Sequence, residues 1–101
     1  CKKTLIIGLS ERSINILRLL SEPNMMDKLN VVGLIGSSSS YDGRLILNTP
    51  VLGEIDNFID IIKNNNIEIV IETEDNKFSP KIRQYCEQNN ILFKTPKIEI
   101  L

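Results

Sequence analysis

The chain has 101 residues, with 12 Lys or Arg against 13 Asp or Glu and a formal net charge of −1. That length suits one compact domain and not two, and a hydrophobic content of 42% is that of an ordinary globular domain. The balanced charge gives no long-range pull toward nucleic acid or anionic lipid, no apolar run reaches the roughly 18–20 residues that span a bilayer, and no signal-peptide pattern opens the chain.

Lys3 to Gly8 is short, apolar and closed by a glycine, which predicts a buried parallel strand. Ser10 is placed to N-cap a helix running to about Glu22, with Ile14, Leu17, Leu20 and Ile16 on its apolar face and Pro23 ending it. A loop from Pro23 to Asn30 follows, with Met25, Met26 and Leu29 packed beneath. Val31 to Gly36 is the second predicted strand, and Ser37 to Gly43 is a polar Ser/Gly-rich connector. Leu45 to Leu52 contains Pro50, so it predicts a short extended excursion of edge-hairpin type and not a central strand. Ile55, Phe58, Ile59 and Ile62 recur at helical spacing in a helix over about Glu54 to Asn65. The run Asn64-Asn65-Asn66 ends that helix, because Asn tolerates the left-handed C-terminal position. Ile67 to Glu72 is a third strand. Ser79-Pro80 reads as an N-cap followed by Pro at the first helical position of a helix carrying Ile82, Tyr85 and Cys86 and ending near Asn89-Asn90. Ile91 to Lys94 is a fourth strand.

Alternating strands and helices imply an α/β fold of three layers: a four-stranded parallel sheet with helices on both faces. Right-handed crossovers give the order 2-1-3-4, with the extended excursion after strand 2. Ligands of such sheets bind outside the carboxyl ends of the strands, where the chain reverses direction. Three loops meet there: Gly8 to Ser13, Gly36 to Ser40, and Thr73 to Asn76.

The first loop, Gly8-Leu9-Ser10-Glu11-Arg12-Ser13, has the position of the phosphate-binding turn of a dinucleotide-binding βαβ unit. The fingerprint there is G-x-G-x-x-G, and this chain has G-x-S-x-x-S. Gly8 permits the tight turn. Ser10 adds a side chain where backbone approaches the pyrophosphate, and with it a hydroxyl able to bond a phosphate oxygen. Ser13 is small enough to keep helix and strand close. Arg12 reaches toward a phosphate and Glu11 repels one. The second loop has no acidic residue for the ribose after Gly36; Ser37 and Ser38 stand there instead, with Asp42 further along and Arg44 able to assist. In the third loop, Glu72 to Lys77 reads as a solvated acidic turn, with Thr73 placed to touch a base or ribose. The predicted binding residues are therefore Gly8, Leu9, Ser10, Glu11, Arg12, Ser13, Gly36, Ser37, Ser38 and Thr73; the sequence leaves the cofactor open, with NAD(P) or another nucleotide as the candidates.

Histidine is absent, which removes the commonest general base and metal ligand together. The two cysteines, Cys1 and Cys86, have no metal or CxxC spacing, and a reducing setting is the default; Cys86 reads as a buried structural residue. Tyr41 and Tyr85 are each without a Lys four residues on. No nucleophile–base pair or metal cluster can be assembled, so catalytic and metal residues are set at none and the domain is not expected to catalyse alone. No nucleic-acid partner and no membrane contact by these residues are expected, in a cytoplasmic setting. The start at Cys1 and the apolar end at Ile98-Glu99-Ile100-Leu101 suggest that residues 1–101 are a single domain excised from a longer protein.

Leu5-Ile6-Ile7-Gly8, Val31-Val32-Gly33-Leu34-Ile35, Thr49-Pro50-Val51-Leu52-Gly53 and Ile67-Glu68-Ile69-Val70-Ile71 together resemble one group. It is the Rossmann-like domain of bacterial polysaccharide-biosynthesis proteins, comprising capsular-type nucleoside-diphosphate-sugar dehydratases/epimerases and initiating sugar-phosphate transferases. Thr95-Pro96 to Leu101 is similar to the tail that follows the last strand in the dehydratase/epimerase group. The resemblance implies a non-catalytic, regulatory domain that binds a nucleotide, dinucleotide or nucleotide-sugar. It also implies a parent enzyme anchored at the inner face of the bacterial membrane. Two departures, the serines in the glycine motif and Gly36-Ser37-Ser38 in place of an acidic cluster, support an alternative: a structural or homodimerising module with a degenerate nucleotide site. Similar Rossmann halves form the N-terminal domain of sugar O-acyltransferases and NADH-sensing domains, a further alternative.

Overall fold

Six strands of the described residues form one mixed sheet in the order β3-β4-β2-β1-β5-β6. The structure is a computed structural model that describes residues 2–22, 29–36 and 43–95. Along the chain come β1 (Lys2–Ile7), α1 (Glu11–Leu20), β2 (Leu29–Gly36), β3 (Leu45–Ile46) and β4 (Thr49–Glu54). A 3-10 turn (Ile55–Asn57) then leads into α2 (Phe58–Asn64), β5 (Ile69–Glu72), α3 (Ser79–Gln88) and β6 (Leu92–Lys94).

The strands predicted from the sequence are β2, β1, β5 and β6, and they lie side by side and parallel in the expected order. The predicted four-stranded sheet is nevertheless too small. The excursion after β2 is an antiparallel hairpin, and its second strand, β4, joins the main sheet parallel to β2. The hairpin turns at Leu47 and Asn48, both at positive φ (49° and 65°). That is the pair of conformations a two-residue turn of the favoured hand requires. Pro50 is accommodated because it stands at the head of β4, before pairing with β2 begins at Val51 opposite Leu34.

The alternation of side chains along the strands sorts the core into two layers. Leu5, Ile7, Ile35 and Val70 pack with Phe58, Ile61, Ile62, Ile82 and Cys86 on the face covered by α2 and α3. Ile6, Leu34, Ile69 and Ile71 pack with Leu17 and Leu20 on the face covered by α1. Phe58 and Tyr85 meet edge to face, with ring centroids 6.0 Å apart, and join α2 to α3.

Helix ends follow the asparagines. Asn66 and Asn90 adopt φ of 52° and 57° just past α2 and α3. Ile67 N–H then returns to the Ile62 carbonyl at 3.1 Å, and Ile91 N–H to that of Cys86 at 2.9 Å. Two predicted caps differ in use. Ser10 is at the N-cap of α1 with extended backbone, but its hydroxyl makes no capping bond. The N-cap of α3 is Phe78, not Ser79, whose hydroxyl is drawn to Glu72. Residues 1, 23–28, 37–42 and 96–101 lie outside the described residues, and with them the expectations for Cys1, Met25, Met26, Ser37, Ser38, Asp42 and the tail after Thr95.

Candidate functional site

The sheet order places the reversal of chain direction between β1 and β5. The connection from β1 leads outward to β2, and β4 continues that way. The connection from β4 then crosses back to β5 on the other side of β1. The carboxyl ends of β1, β2 and β5 therefore bring together Gly8, Gly36 and Thr73, as the sequence predicts, with the N-terminus of α1 directly above.

Gly8 leaves β1 at φ 118°, a conformation that L side chains rarely adopt, and its N–H donates to the Ile35 carbonyl at 2.8 Å. A Cβ at this position would collide with Thr73 Oγ1 and crowd Ser13 Oγ at 3.0 Å. Glycine is thus required by backbone and by space. Gly36 has a different reason: a Cβ there would run into the Leu9 side chain, which lies across the end of β2. Leu9 is accordingly a packing residue between β1 and β2.

The two serines of the altered glycine motif do different things. Ser13 is fully buried, and its hydroxyl is 2.7 Å from that of Thr73. Thr73 Oγ1 in turn donates to the Ile7 carbonyl at 2.7 Å. Both hydroxyls are engaged within the protein. Ser10 Oγ, by contrast, is buried without any hydrogen-bond partner, alone in this among the described residues. A buried hydroxyl without a partner forfeits about 1–3 kcal/mol. It sits at the N-terminus of a ten-residue helix, where the amides of Glu11, Arg12 and Ser13 precede the first intrahelical bond, Ile14 N–H to Ser10 O at 3.2 Å. The donor set is that of an anion site.

Arg12 is turned away from this point. Its Nη1 donates to the Thr73 carbonyl at 3.3 Å. There it lines a cleft of about 280 Å³ beyond the end of β5, with Glu72, Glu74, Asp75, Arg83 and Thr95. Glu11 is exposed in the first turn of α1.

The acidic turn after β5 is only partly solvated. Glu74 and Asp75 are exposed, but Glu72 is 3% exposed. Its Oε2 accepts from Ser79 Oγ at 2.8 Å and Asn76 Nδ2 at 3.4 Å. Ser79 Oγ also receives the Asn76 N–H at 2.9 Å, so Glu72 ties the loop to the start of α3. Burial raises its pKa above the ordinary 4.5, and Asp75 adds to the rise, while the Ser79 and Asn76 bonds and the charge of Arg83 oppose it. Sequence reasoning missed this role. The available signal was position: Glu72 ends a strand of a sheet covered on both faces. Cys86 is fully buried, and desolvation pushes its thiol up to about 11, in keeping with a structural residue. No group of three or more metal-ligating side chains occurs among the described residues.

The sequence matches no protein-family model and no curated protein. Solved structures do match. The crystal structure of RSP, a Rex-family repressor, superimposes with a TM-score of 0.74 at 15% identity, over 94% of this chain and 52% of that one. RSP in complex with β-NADH gives 0.72 at 15% identity, over 95% and 53% of the two chains. RSP in complex with β-NAD+ and operator DNA gives 0.72 at 18% identity, over 99% and 46%.

At these identities the likeness shows the fold, which is Rossmann-like. The chain spans about half the length of the structures it matches. The polysaccharide-biosynthesis resemblance receives support for its fold and none for its enzyme context. The expectation of no nucleic-acid partner is corrected: a protein sharing this fold is solved with operator DNA, so the charge balance of these 101 residues is no ground for that exclusion. No helix among the described residues is long and apolar enough to cross a membrane.

Proposed function

We propose that the domain binds a nicotinamide dinucleotide at the α1 N-terminus and acts as the NADH-sensing part of a regulatory protein. The observation that carries this reading is the buried, unpartnered Ser10 hydroxyl, set beside the free amides of α1 at the chain-reversal point. A phosphate oxygen supplies the acceptor that this hydroxyl lacks, and the helix dipole favours the negative charge. The fold supports the same reading, since two of the matched RSP structures hold β-NADH and β-NAD+.

In this arrangement Gly8 gives the backbone its approach, Ser10 and the amides of Glu11 to Ser13 hold the pyrophosphate, and the ribose lies beyond the end of β2, where Gly36 makes room for Leu9. Ser37 and Ser38 are the candidates for that ribose. The nicotinamide chemistry is the cofactor's own; these residues bind and orient it.

Calorimetric titration with NADH, NAD+, NADPH, NADP+ and a uridine diphosphate sugar tests this. Saturable binding of a nicotinamide dinucleotide, lost in Gly8→Ala, supports the reading. No heat with any dinucleotide up to millimolar concentration overturns it, as does preference for the sugar nucleotide.

A further inference from the structure

We infer that Ser13 and Thr73 form a directed hydroxyl relay that holds the Gly8 turn in its binding geometry. The inference rests on the reading of that turn as a dinucleotide site. Proton counting gives the direction. Thr73 has one hydroxyl proton, and it goes to the Ile7 carbonyl at 2.7 Å. In the 2.7 Å contact between the two hydroxyls, Ser13 is therefore the donor. The order is Ser13 O–H to Thr73 Oγ1, and Thr73 O–H to Ile7 O.

The Ile7 carbonyl also accepts the Thr73 N–H at 3.0 Å, so the residue that follows β5 supplies two bonds to one oxygen. Across the same peptide unit, Gly8 N–H donates to Ile35 O of β2 at 2.8 Å. The Ile7–Gly8 peptide plane is thus pinned from both neighbouring strands, and Ser13 ties α1 to that clamp. Thr73 Oγ1 occupies the space a Cβ on Gly8 would need. In the unaltered fingerprint the third glycine lets helix and strand approach by having no side chain. Here a buried hydrogen bond brings them together. Ser13 and Thr73 are positioning residues: both are buried, and their hydroxyls face each other and the backbone.

The relay makes a prediction opposite to motif restoration. Ser13→Gly brings the sequence closer to G-x-G-x-x-G, yet it removes the donor and leaves Thr73 Oγ1 with one bond. The variants to compare are Ser13→Gly, Ser13→Ala, Thr73→Val and Thr73→Ser. Cys86→Ala is the control, a core change in α3 away from the turn. Backbone amide exchange by NMR on the ligand-free domain is read at Gly8 against the amides of α3. Thr73→Val, Ser13→Gly and Ser13→Ala are expected to speed Gly8 exchange selectively, by roughly tenfold or more, and Thr73→Ser to restore it. Cys86→Ala is expected to speed both regions together. NADH affinity, measured where every variant is folded, should fall in Ser13→Gly and Thr73→Val and hold in Thr73→Ser. The relay is overturned if Gly8 exchange follows global stability in all variants, or if Ser13→Gly binds NADH as tightly as the parent. Should the parent bind no dinucleotide, the functional reading fails, and the exchange measurement alone decides the relay.

Discussion

Ser10 and Glu72 depart from what their residue types ordinarily do, Gly8 is fixed by backbone and space, and each has a measurable consequence. Gly8→Ala imposes a side chain at φ 118° and drives it into Thr73 Oγ1. The backbone strain alone costs about 1–3 kcal/mol. Thermal denaturation should show the loss, and dinucleotide binding should vanish with the turn. Glu72 has a folded pKa raised by burial. For a carboxyl group raised in this way, the native state binds more protons than the unfolded chain between the two pKa values. Its favourable contribution is complete below the ordinary value of 4.5 and is lost as pH rises through the folded value. Glu72→Gln keeps an acceptor for Ser79 and removes the buried charge. It should therefore melt higher than the parent at pH 7, with the gain shrinking as pH falls toward 4.5; a constant gain across that range would refute the assignment. Cys86, with its thiol at about 11 and no exposure, should resist alkylation at pH 8 in the native state and react on unfolding, as peptide mapping by mass spectrometry will show.

At the level of elements, the turns and caps decide geometry that hydrophobic pattern leaves open. Asn66 and Asn90 hold left-handed positions at the ends of α2 and α3. Asn66→Ala should cost about 1 kcal/mol by urea denaturation, because alanine lacks the local side-chain bonding that offsets this conformation in asparagine. Helices, strands and their order were legible in the sequence because apolar periodicity and the glycine, proline and asparagine punctuation agree. The β3–β4 hairpin was only half legible. Its turn, Leu47-Asn48, lacks the Asn-Gly or Asp-Gly signature, and Pro50 argued against a strand inside a sheet. The proline is tolerated because of where pairing begins, and register is not written in local composition. Of the candidate site, the convergence of Gly8, Gly36 and Thr73 was legible, but the uses of the serines were not readable. Whether a hydroxyl meets a partner depends on a residue about 60 positions away, as Ser13 does with Thr73 and Ser10 does not.

For the whole molecule, the sheet is the frame and the Gly8 turn a local feature of its carboxyl edge. Leu5 is fully buried in the layer under α2 and α3, so Leu5→Ala should destabilise the domain by about 2–5 kcal/mol. Because Leu5 does not reach the turn, dinucleotide affinity of the folded fraction should be unchanged, as calorimetry can show. Ligand binding to the native state alone raises stability by mass action, about 2.7 kcal/mol at a hundredfold excess over Kd. That linkage makes melting temperature a direct reporter of the site.

The decisive comparison is thermal melting of the parent and Ser10→Ala, each with and without NADH. If the buried Ser10 hydroxyl awaits a phosphate oxygen, its removal leaves the ligand-free melting temperature equal or higher and markedly reduces the upshift caused by NADH. A lower ligand-free melting temperature with an undiminished NADH upshift would contradict the account.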